Sequence, residues 1–374
     1  MLIIRIEDLK SIAQTILTAV DSNELSVITE TLELKVCDNM LYMNVTNREY
    51  YAQVRLHMDN EEEFHATVNA NLFLKLVSQI TTDTVEFSIS GNSLVIKANG
   101  TYRLPLIYDN DKLLELPEIK IDNVTSEFDI SGDILVSILQ YNSKQLNIGA
   151  ISKPVQKMYY VDEKGALTFT SGACVNSFTL EKPVKMLLNS RLVKLFKLFK
   201  GEKVHFKIGY DAISDEIIQT KVKFESKNVM ITAILFCDDS MVNSVPVTAI
   251  RSRAFSDYPY SVNLNKDAFL QMINRLLLFT ASSSKELTAY CTFEFTKDKV
   301  IVYDMEKENK EIIYYNNNIS NIEETYTTIL DLNDLKGTFD TCVEQYVTFK
   351  FGDEQAVLIC RGNVVNVVPE LHTV

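Results

Sequence analysis

The sequence predicts an α+β protein made of three repeated domains, each with two helices packed against antiparallel sheets. A short alternating phrase occurs three times, at Val85–Ser90, Val204–Gly209 and Val347–Gly352, and alternation of this kind is the period of a half-buried strand. Six amphipathic helices are also predicted, with starts 58 to 76 residues apart. Such a repeat indicates that the function belongs to the assembled shape rather than to one catalytic pocket.

The predicted helices carry apolar residues at i, i+3 and i+4 spacing, which is typical of a helix with one face in the core. In the first, Glu7–Val20, these residues include Leu9, Ile12 and Ile16. The sixth is weaker because Gly337 lies inside it, and glycine is a poor helix former. The six predicted helices begin near Glu7, Ala70, Gly132, Ser190, Lys266 and Asp331.

Paired strand signals follow most of these helices, and each pair is separated by polar turn residues, which predicts β-hairpins. The pairs are Leu32–Cys37 with Leu41–Val45, Val85–Ile89 with Leu94–Lys97, Met158–Val161 with Leu167–Thr170, and Cys291–Phe295 with Val300–Tyr303.

Two proline-marked segments, Leu116–Lys120 and Ser256–Tyr260, are the predicted linkers. They divide the chain into domains at residues 1–123, 124–257 and 258–374. Three domains in a row leave a free sheet edge at each end of the arc. We expect such an arc to close with a second copy of itself.

Composition excludes several classes of protein. The chain has 374 residues, a net charge of −13 and 46% apolar residues, and no apolar run reaches the length of about 18 residues expected of a membrane span. The phosphate-binding and nucleophile motifs of common enzymes are absent. The four histidines are isolated and the six cysteines form no C-x-x-C pair. We therefore expect no metal, no cofactor and reduced thiols in a cytoplasmic protein.

A basic stripe stands out against this acidic background. Arg191, Lys194, Lys197 and Lys200 place a cation at every third residue of the fourth predicted helix, opposite its apolar half. Such a stripe fits contact with nucleic-acid phosphates, although an ordinary solvated helix face is the competing interpretation. If all six helices face one side, further cations join this surface: Lys10, Lys75, Lys144, Lys266 and Arg275.

Several segments resemble the bacterial sliding clamps, the beta subunits of DNA polymerase III. The resemblance to the first domain of that family runs through Ala66–Val77, Gly91–Lys97 and Tyr102–Pro105. Arg253–Tyr258 is similar to the family's R-F-P-D-Y linker, and Val367–Leu371 is similar to its terminal V-M-P-M-R-L. The matches follow the family's order along nearly the whole chain.

The chain also departs from the family. The family's T-D-G-H-R-L appears as Thr170–Val175, Asp334 stands where the last helix has an aromatic residue, and three residues follow Leu371. These changes cluster at the family's partner-binding cleft. They suggest a divergent clamp of phage or plasmid origin, which would act in the cytoplasm of a bacterial cell or a phage-infected host.

The resemblance implies a function. Two copies would form a head-to-tail dimeric ring that encircles double-stranded DNA and tethers a DNA polymerase after a clamp loader has placed it there. The protein would make and break no bond itself, so it is predicted to be an accessory subunit rather than an enzyme. The edge strand near Thr101–Ile107 and two helix ends are expected at the dimer interface, through Leu74, Tyr102, Leu104, Leu106, Leu276 and Leu278.

The resemblance also implies a peptide-binding cleft between the second and third domains. The small residues at 171–174 leave room for apolar side chains of a partner, and acidic Asp334 and Glu370 favour a peptide with a basic flank. One of the neighbours Val367 and Val368 must face the core, so a purely structural role for that strand stays open. The expected cleft residues are Val161, Thr170, Gly172, Ala173, Cys174, Val175, Tyr260, Ser261, Asp331, Asp334, Val367, Val368, Pro369 and Leu371.

A repeat-built scaffold that does not bind DNA is the alternative function. A scaffold gives no reason for four cations to share one face of a helix, so the basic stripe distinguishes the two hypotheses.

Overall fold

The computed structural model describes residues 2–20, 26–58, 62–146, 153–212, 218–235, 238–280, 289–316, 322–340, 342, 344–352 and 356–371. Contacts divide the chain into two compact units. The first unit holds Met1–Leu135 and Lys194–Asp238, and the second holds Val136–Val193 and Asp239–Val374. The middle third of the chain is thus shared between them, and the predicted boundaries of three domains stay a prediction.

All six predicted helices are present in the described residues. The helices are α1 Ile6–Leu17, α2 Ala70–Gln79, α3 Gly132–Ser137, α4 Ser143–Gln145, α5 Ser190–Lys194, α6 Asp239–Asn243, α7 Val247–Ala254, α8 Lys266–Thr280 and α9 Leu332–Phe339. The third predicted helix continues after a π turn as α4, and two further short helices, α6 and α7, were not predicted.

The third and fourth predicted helices are less regular than their sequence pattern suggested. A π-helical turn, Ile138–Asn142, separates α3 from α4, and a 3₁₀ segment, Leu195–Phe199, follows α5 directly. A Cβ atom added to Gly132 would lie 1.7 Å from the carbonyl oxygen of Phe199. The start of α3 and the end of the 3₁₀ segment therefore approach so closely that only glycine fits.

Strands of two to ten residues alternate with these helices. They are β1 Leu2–Arg5, β2 Thr31–Cys37, β3 Met40–Thr46, β4 Tyr50–His57, β5 Phe64–Asn69, β6 Thr84–Ser90, β7 Ser93–Lys97, β8 Thr101–Pro105, β9 Tyr108–Asp109, β10 Lys112–Leu113, β11 Val124–Ser131, β12 Met158–Asp162, β13 Gly165–Phe169, β14 Ala173–Ser177, β15 Lys185–Asn189, β16 Lys203–Ala212, β17 Ile218–Glu225, β18 Val229–Leu235, β19 Tyr260–Asn265, β20 Tyr290–Phe295, β21 Lys299–Asp304, β22 Lys310–Tyr314, β23 Tyr326–Asp331, β24 Tyr346–Phe351, β25 Ala356–Arg361 and β26 Val364–Pro369.

One order of elements recurs along the described chain: a strand, a helical segment, then three strands in a meander. It occurs six times, starting at β1, β5, β11, β15, β19 and β23. The phrase that the sequence repeats three times falls in β6, β16 and β24, and these strands pair with β1, β11 and β19. The predicted α+β class and the predicted hairpins are confirmed.

The first unit contains two large antiparallel sheets. One has eight strands in the order β11-β16-β17-β18-β4-β3-β2-β5, and the other has four in the order β1-β6-β7-β8. Two meanders meet in the larger sheet where β18 pairs with β4. Leu34, Met43 and Val54 lie side by side on one face and are buried. They form part of the core beneath the helices.

The second unit repeats this arrangement. Its larger sheet runs β15-β12-β13-β14-β26-β25-β24-β19, and its smaller sheet runs β22-β21-β20-β23. Here β14 pairs with β26 at the junction of two meanders. An aromatic cluster that includes Phe269, Phe339 and Phe349 fills the core beneath α8 and α9.

Candidate functional sites

The basic stripe of Arg191, Lys194, Lys197 and Lys200 is exposed, while Leu192, Leu195, Phe196 and Phe199 between its members are buried. Because Leu195–Phe199 is a 3₁₀ segment, residues three apart eclipse each other. At a rise of about 2.0 Å per residue, Lys194, Lys197 and Lys200 form a straight row with steps of about 6 Å. Within the described residues, none of these three lysines makes an ion pair.

The other predicted cations behave differently. The Lys10 ammonium donates to the carbonyl oxygen of Ile80 at 2.6 Å, and Lys266 donates to the carbonyl oxygen of Cys342 at 3.3 Å. Arg275 binds both carboxylate oxygens of Glu311, at 2.6 and 2.8 Å. These three cations are already engaged within their own units. The remaining two are Lys75, which is exposed, and Lys144, which is half-buried.

An apolar cavity of about 330 Å³ opens beside the β14–β26 junction of the second unit. The strands contribute Phe169, Ala173 and Val367, and the turn between β13 and β14 contributes residues 170–172. The helix α7 and the residue before it form the opposite wall, through Pro246, Ala249, Ile250 and Arg253. Pro369 completes the lining. We call this space the apolar cavity.

Small residues make the cavity possible. A Cβ atom on Gly172 would lie 2.4 Å from the carbonyl oxygen of Val367, so a larger residue would push β14 away from β26. Ala173 pairs directly with Val367 and extends only a methyl group into the space. The cavity is thus the gap left where larger side chains are missing between the sheet and α7.

Strand alternation decides which predicted cleft residues reach this cavity. Val367 lines it, whereas its neighbour Val368 packs into the core on the other face. Cys174 is likewise turned away, because its neighbour Ala173 faces the cavity; burial raises the pKa of its thiol to about 11. Val161 lies on that other face, while Val175 shares the cavity face but is fully buried in the sheet.

Three further predicted residues lie away from the cavity. Tyr260 and Ser261 belong to β19, three strands beyond β26 at the far edge of the sheet. Neighbouring strands are about 4.8 Å apart, so these residues lie about 14 Å away. Leu371 donates its N–H to the carbonyl oxygen of Ile329 and is 41% exposed. Of the fourteen predicted residues, the structure brings Thr170, Gly172, Ala173, Val367 and Pro369 together around the cavity.

The wall formed by α7 was missed from sequence. In this region the sequence predicts only a linker, at Arg253–Tyr258. The α7 segment is short, and its helical spacing, through Val247, Ile250 and Ala254, extends over only two turns. Pro246, immediately before the first helical residue, is the signal that marks its start, since proline is favoured at helix beginnings.

An acidic group lies next to the cavity. The Ser171 hydroxyl donates to the carboxylate of Asp334 at 3.2 Å. Burial, together with the nearby charge of Asp331, raises the pKa of Asp334 to about 6. Asp331 caps α9 by accepting the N–H of Asn333 at 2.8 Å. Glu370 accepts a hydrogen bond from the Tyr326 hydroxyl at 2.8 Å.

A second cavity of about 580 Å³ lies against the other side of the Pro246–Ala249 segment. We call it the polar cavity. Its walls include the β12–β13 turn with Asp162, Glu163 and Lys164, the start of β15 with Lys185, and Arg251 of α7. The Arg251 guanidinium binds both oxygens of Asp162 at 2.6 and 2.7 Å. Burial alone would raise the pKa of Asp162, but the hydrogen bonds from Arg251 and from the Lys164 N–H hold it below its usual range.

The predicted dimer residues are mostly in the core. Leu74, Leu104, Leu106 and Leu276 are buried in their own units, and Tyr102 is half-buried. Leu278 is 72% exposed. Phe279, the next residue of α8, is also exposed, and so are Ile312 and Tyr314 on β22. On α2, Leu72 is exposed in place of Leu74, because the two residues lie about 200° apart around the helix.

Comparison with known proteins identifies the fold. No protein-family model matches the chain. A segment of 126 residues is 24% identical to the beta sliding clamp of Mycoplasmopsis pulmonis, and it covers 32% of this chain and 31% of that protein. The chain thus matches about a third of the length of this curated relative.

Solved structures match over the whole length. The beta subunit of the DNA polymerase of Streptococcus pyogenes superposes with a TM-score of 0.80 at 13% identity, over 99% of both chains. The DNA polymerase III beta sliding clamp of Pseudomonas aeruginosa, solved with griselimycin bound, gives 0.79 at 14% identity over 99% of both chains. The chain has the sliding-clamp fold, as predicted. No described helix combines the length and apolar composition that a bilayer crossing requires.

Proposed function

We propose that this protein is a DNA sliding clamp. Two copies close into a ring around double-stranded DNA and tether a DNA polymerase to its template, and the clamp itself makes and breaks no bond. Its partners are DNA, the polymerase, a loader that opens the ring, and a second copy of the chain. The observation that carries the proposal is the pairing of the last strands of the six repeated meanders.

In both eight-stranded sheets, the last strand of one meander pairs with the last strand of another. The pairs are β4 with β18 and β14 with β26. Among the described strands, two last strands lack such a partner: β8 in the first unit and β22 in the second. The same antiparallel pairing between β8 of one copy and β22 of another completes the pattern, because unpaired strand edges favour a further strand.

The surfaces beside these two edges support the pairing. Ile312 and Tyr314 are exposed on β22 itself, and Leu278 and Phe279 are exposed on α8, which lies against β22. At the other edge, Tyr108 is exposed just after β8. Large apolar side chains gathered at an edge are typical of an interface. Each ring would contain two such interfaces, since each copy offers one β8 and one β22.

The row of Lys194, Lys197 and Lys200 supports the contact with DNA. Phosphate contacts by lysine are independent of base sequence, so a ring lined by such cations holds the duplex without fixing its position. The net charge of −13 means that the rest of the surface repels DNA. The apolar cavity supports the tethering role, because it offers apolar side chains of a partner peptide a preformed site.

Retention on circular DNA tests the proposal. Protein loaded on a nicked plasmid is passed through a sizing column before and after the plasmid is cut once. We expect the clamp to stay with circular DNA and to leave linear DNA, because a ring slides off a free end. Loss from both forms, or equal retention on both, would contradict a topological ring, and the first outcome would favour the scaffold.

Two variants test which residues form the dimer and which residues contact DNA. Leu278→Asp with Ile312→Asp should give a folded monomer of 42.6 kDa in place of an 85.2 kDa dimer, twice the chain mass. Replacing Lys194, Lys197 and Lys200 by alanine should leave the dimer intact and weaken DNA contact most at low salt. The matched control replaces three other exposed lysines, Lys157, Lys182 and Lys297, and so removes the same charge from elsewhere.

A further inference from the structure

We propose that the partner segment that fills the apolar cavity continues over Pro246 and Ala249 into the polar cavity, and places acidic side chains there against Lys164 and Lys185. This inference rests on the proposed function, since it extends the partner site of a clamp. It assigns a second contact region and the chemistry that fits it.

The two cavities adjoin each other at one segment. Pro246 and Ala249 belong to the lining of both, so a chain leaving the apolar cavity at this point enters the polar one. Pro246 and Ala249 are both exposed, so the segment between the cavities is open to solvent. Together, the two cavities can hold a longer peptide segment than the apolar cavity holds alone.

The charges of the polar cavity favour an acidic occupant. Three cations, Lys164, Lys185 and Arg251, face two carboxylates, Asp162 and Glu163. Asp162 and Arg251 neutralise each other through their two-pronged hydrogen bonds, and their side chains are only 6% and 16% exposed. The exposed charges that remain are those of Lys164 and Lys185, with the half-buried Glu163 opposing them. A locally positive wall in so acidic a chain fits an acidic segment.

The rigidity of the wall adds to this argument. The Asp162–Arg251 pair fastens α7 to the β12–β13 turn, which carries Lys164. The cavity shape therefore exists before a partner arrives, and a partner does not have to order it. At the other end of the path, Ser171 and Asp334 present an acidic group. The two ends thus differ in charge, which fixes the direction in which a charged segment lies.

Synthetic peptides test the inference on the full-length protein. The shared core contains leucine and phenylalanine, which suit the apolar cavity, and a four-residue flank of glutamate, serine or lysine is attached at either end. Affinity is measured by fluorescence anisotropy. We expect a glutamate flank at one end, but not at the other, to tighten binding about threefold to tenfold over serine, as two exposed ion pairs would. The gain should disappear at about 0.5 M salt.

Charge reversal assigns the effect to the polar cavity. Lys164→Glu with Lys185→Glu should remove the glutamate gain and leave the affinity of the serine-flanked peptide unchanged. Lys157→Glu with Lys182→Glu, two exposed lysines outside the cavity, is the matched control and should retain the gain. Both variants should keep the melting temperature of the parent, because all four side chains are exposed.

The outcomes separate this inference from the proposed function. If serine-flanked peptides bind and glutamate adds nothing, or if the gain survives in the Lys164–Lys185 variant, the extension into the polar cavity is wrong and the apolar site stands. If no peptide binds in any form, the partner site itself is misplaced and the extension is overturned with it.

Discussion

The two eight-stranded sheets share one plan but differ on the face turned away from the helices. In the first unit, the row across the junction runs through Glu33, Asn44, Gln53, Met230 and Glu225. In the second, the equivalent row runs through Tyr160, Leu167, Val175, Val365 and Cys360. The first row is mostly polar and the second is mostly apolar.

The polar row is satisfied by its own members. Asn44 donates to Glu33 at 2.9 Å, and Gln53 donates to Asn44 at 3.0 Å. Arg55 donates to Gln53 at 3.0 Å and also pairs with Glu225. A row in which each polar group already has a partner has little to offer an incoming chain.

The covering segments differ as well. In the first unit, Leu116 and Ile119 of the predicted linker pack on Tyr51 and Met230 beside the junction. In the second unit, α7 covers the sheet only partly and leaves the apolar cavity. The chain fills one junction with its own linker and leaves the other open. This difference would explain how a repeated architecture carries the proposed partner site at one junction and not at the other.

The largest expected effect tests what holds α7 on the second sheet. Arg251→Ala leaves the buried carboxylate of Asp162 without its charged partner, and breaking a buried pair in this way costs about 3–5 kcal/mol. We expect a loss of that size in the free energy of unfolding, measured by urea denaturation. Arg251→Gln combined with Asp162→Asn removes both charges and should cost clearly less. Equal losses in the two variants would mean that the charges do not hold α7.

The corresponding test in the first unit should give a smaller effect. Glu33→Ala removes the acceptor of both Asn44 and His65, and leaving buried groups unsatisfied costs about 1–3 kcal/mol. Glu86→Ala is the control, because its pair with Lys97 is exposed and such pairs contribute at most about 1 kcal/mol. If Glu33→Ala costs no more than the control, the polar row does not stabilise the first junction.

The sequence predicted the parts of this comparison that depend on local periodicity. Strand alternation located the hairpins, and helical spacing located α1, α2 and α8. The basic stripe was found because its apolar partners Leu195 and Phe196 alternate with it. Its 3₁₀ geometry was not predicted, since a cation at every third residue fits both kinds of helix.

The cleft was harder to predict because it depends on long-range packing. The choice between Val367 and Val368 required the register of β26, and the role of α7 required its contact with a sheet formed from distant segments. The choice between Leu72 and Leu74 depended on the rotation of α2 about its own axis. Neither helical spacing nor strand alternation shows where two meanders join into one sheet.

The smallest expected effect concerns Asp334, next to the apolar cavity. Here the substitution should stabilise the protein instead of destabilising it. Burial raises the pKa of Asp334 from its ordinary 3.8 to about 6. The folded protein therefore binds this proton more tightly than the unfolded chain does, and stability is lost as the pH rises from about 4 to about 6. Asp334→Asn removes that loss, so it should stabilise the protein by about 1–2 kcal/mol at pH 7.5, allowing for partial exposure. The gain should vanish below pH 4.

The control is Asp257→Asn, at an exposed carboxylate, which should show no such pH dependence. A gain of the same size at pH 4 and pH 7.5 would mean that packing, and not the buried charge, sets the effect. A gain confined to neutral pH would mean that the buried charge of Asp334, beside the open junction of the second unit, lowers the stability of the protein. In the first unit, by contrast, the carboxylate of Glu33 is stabilised by its own hydrogen bonds.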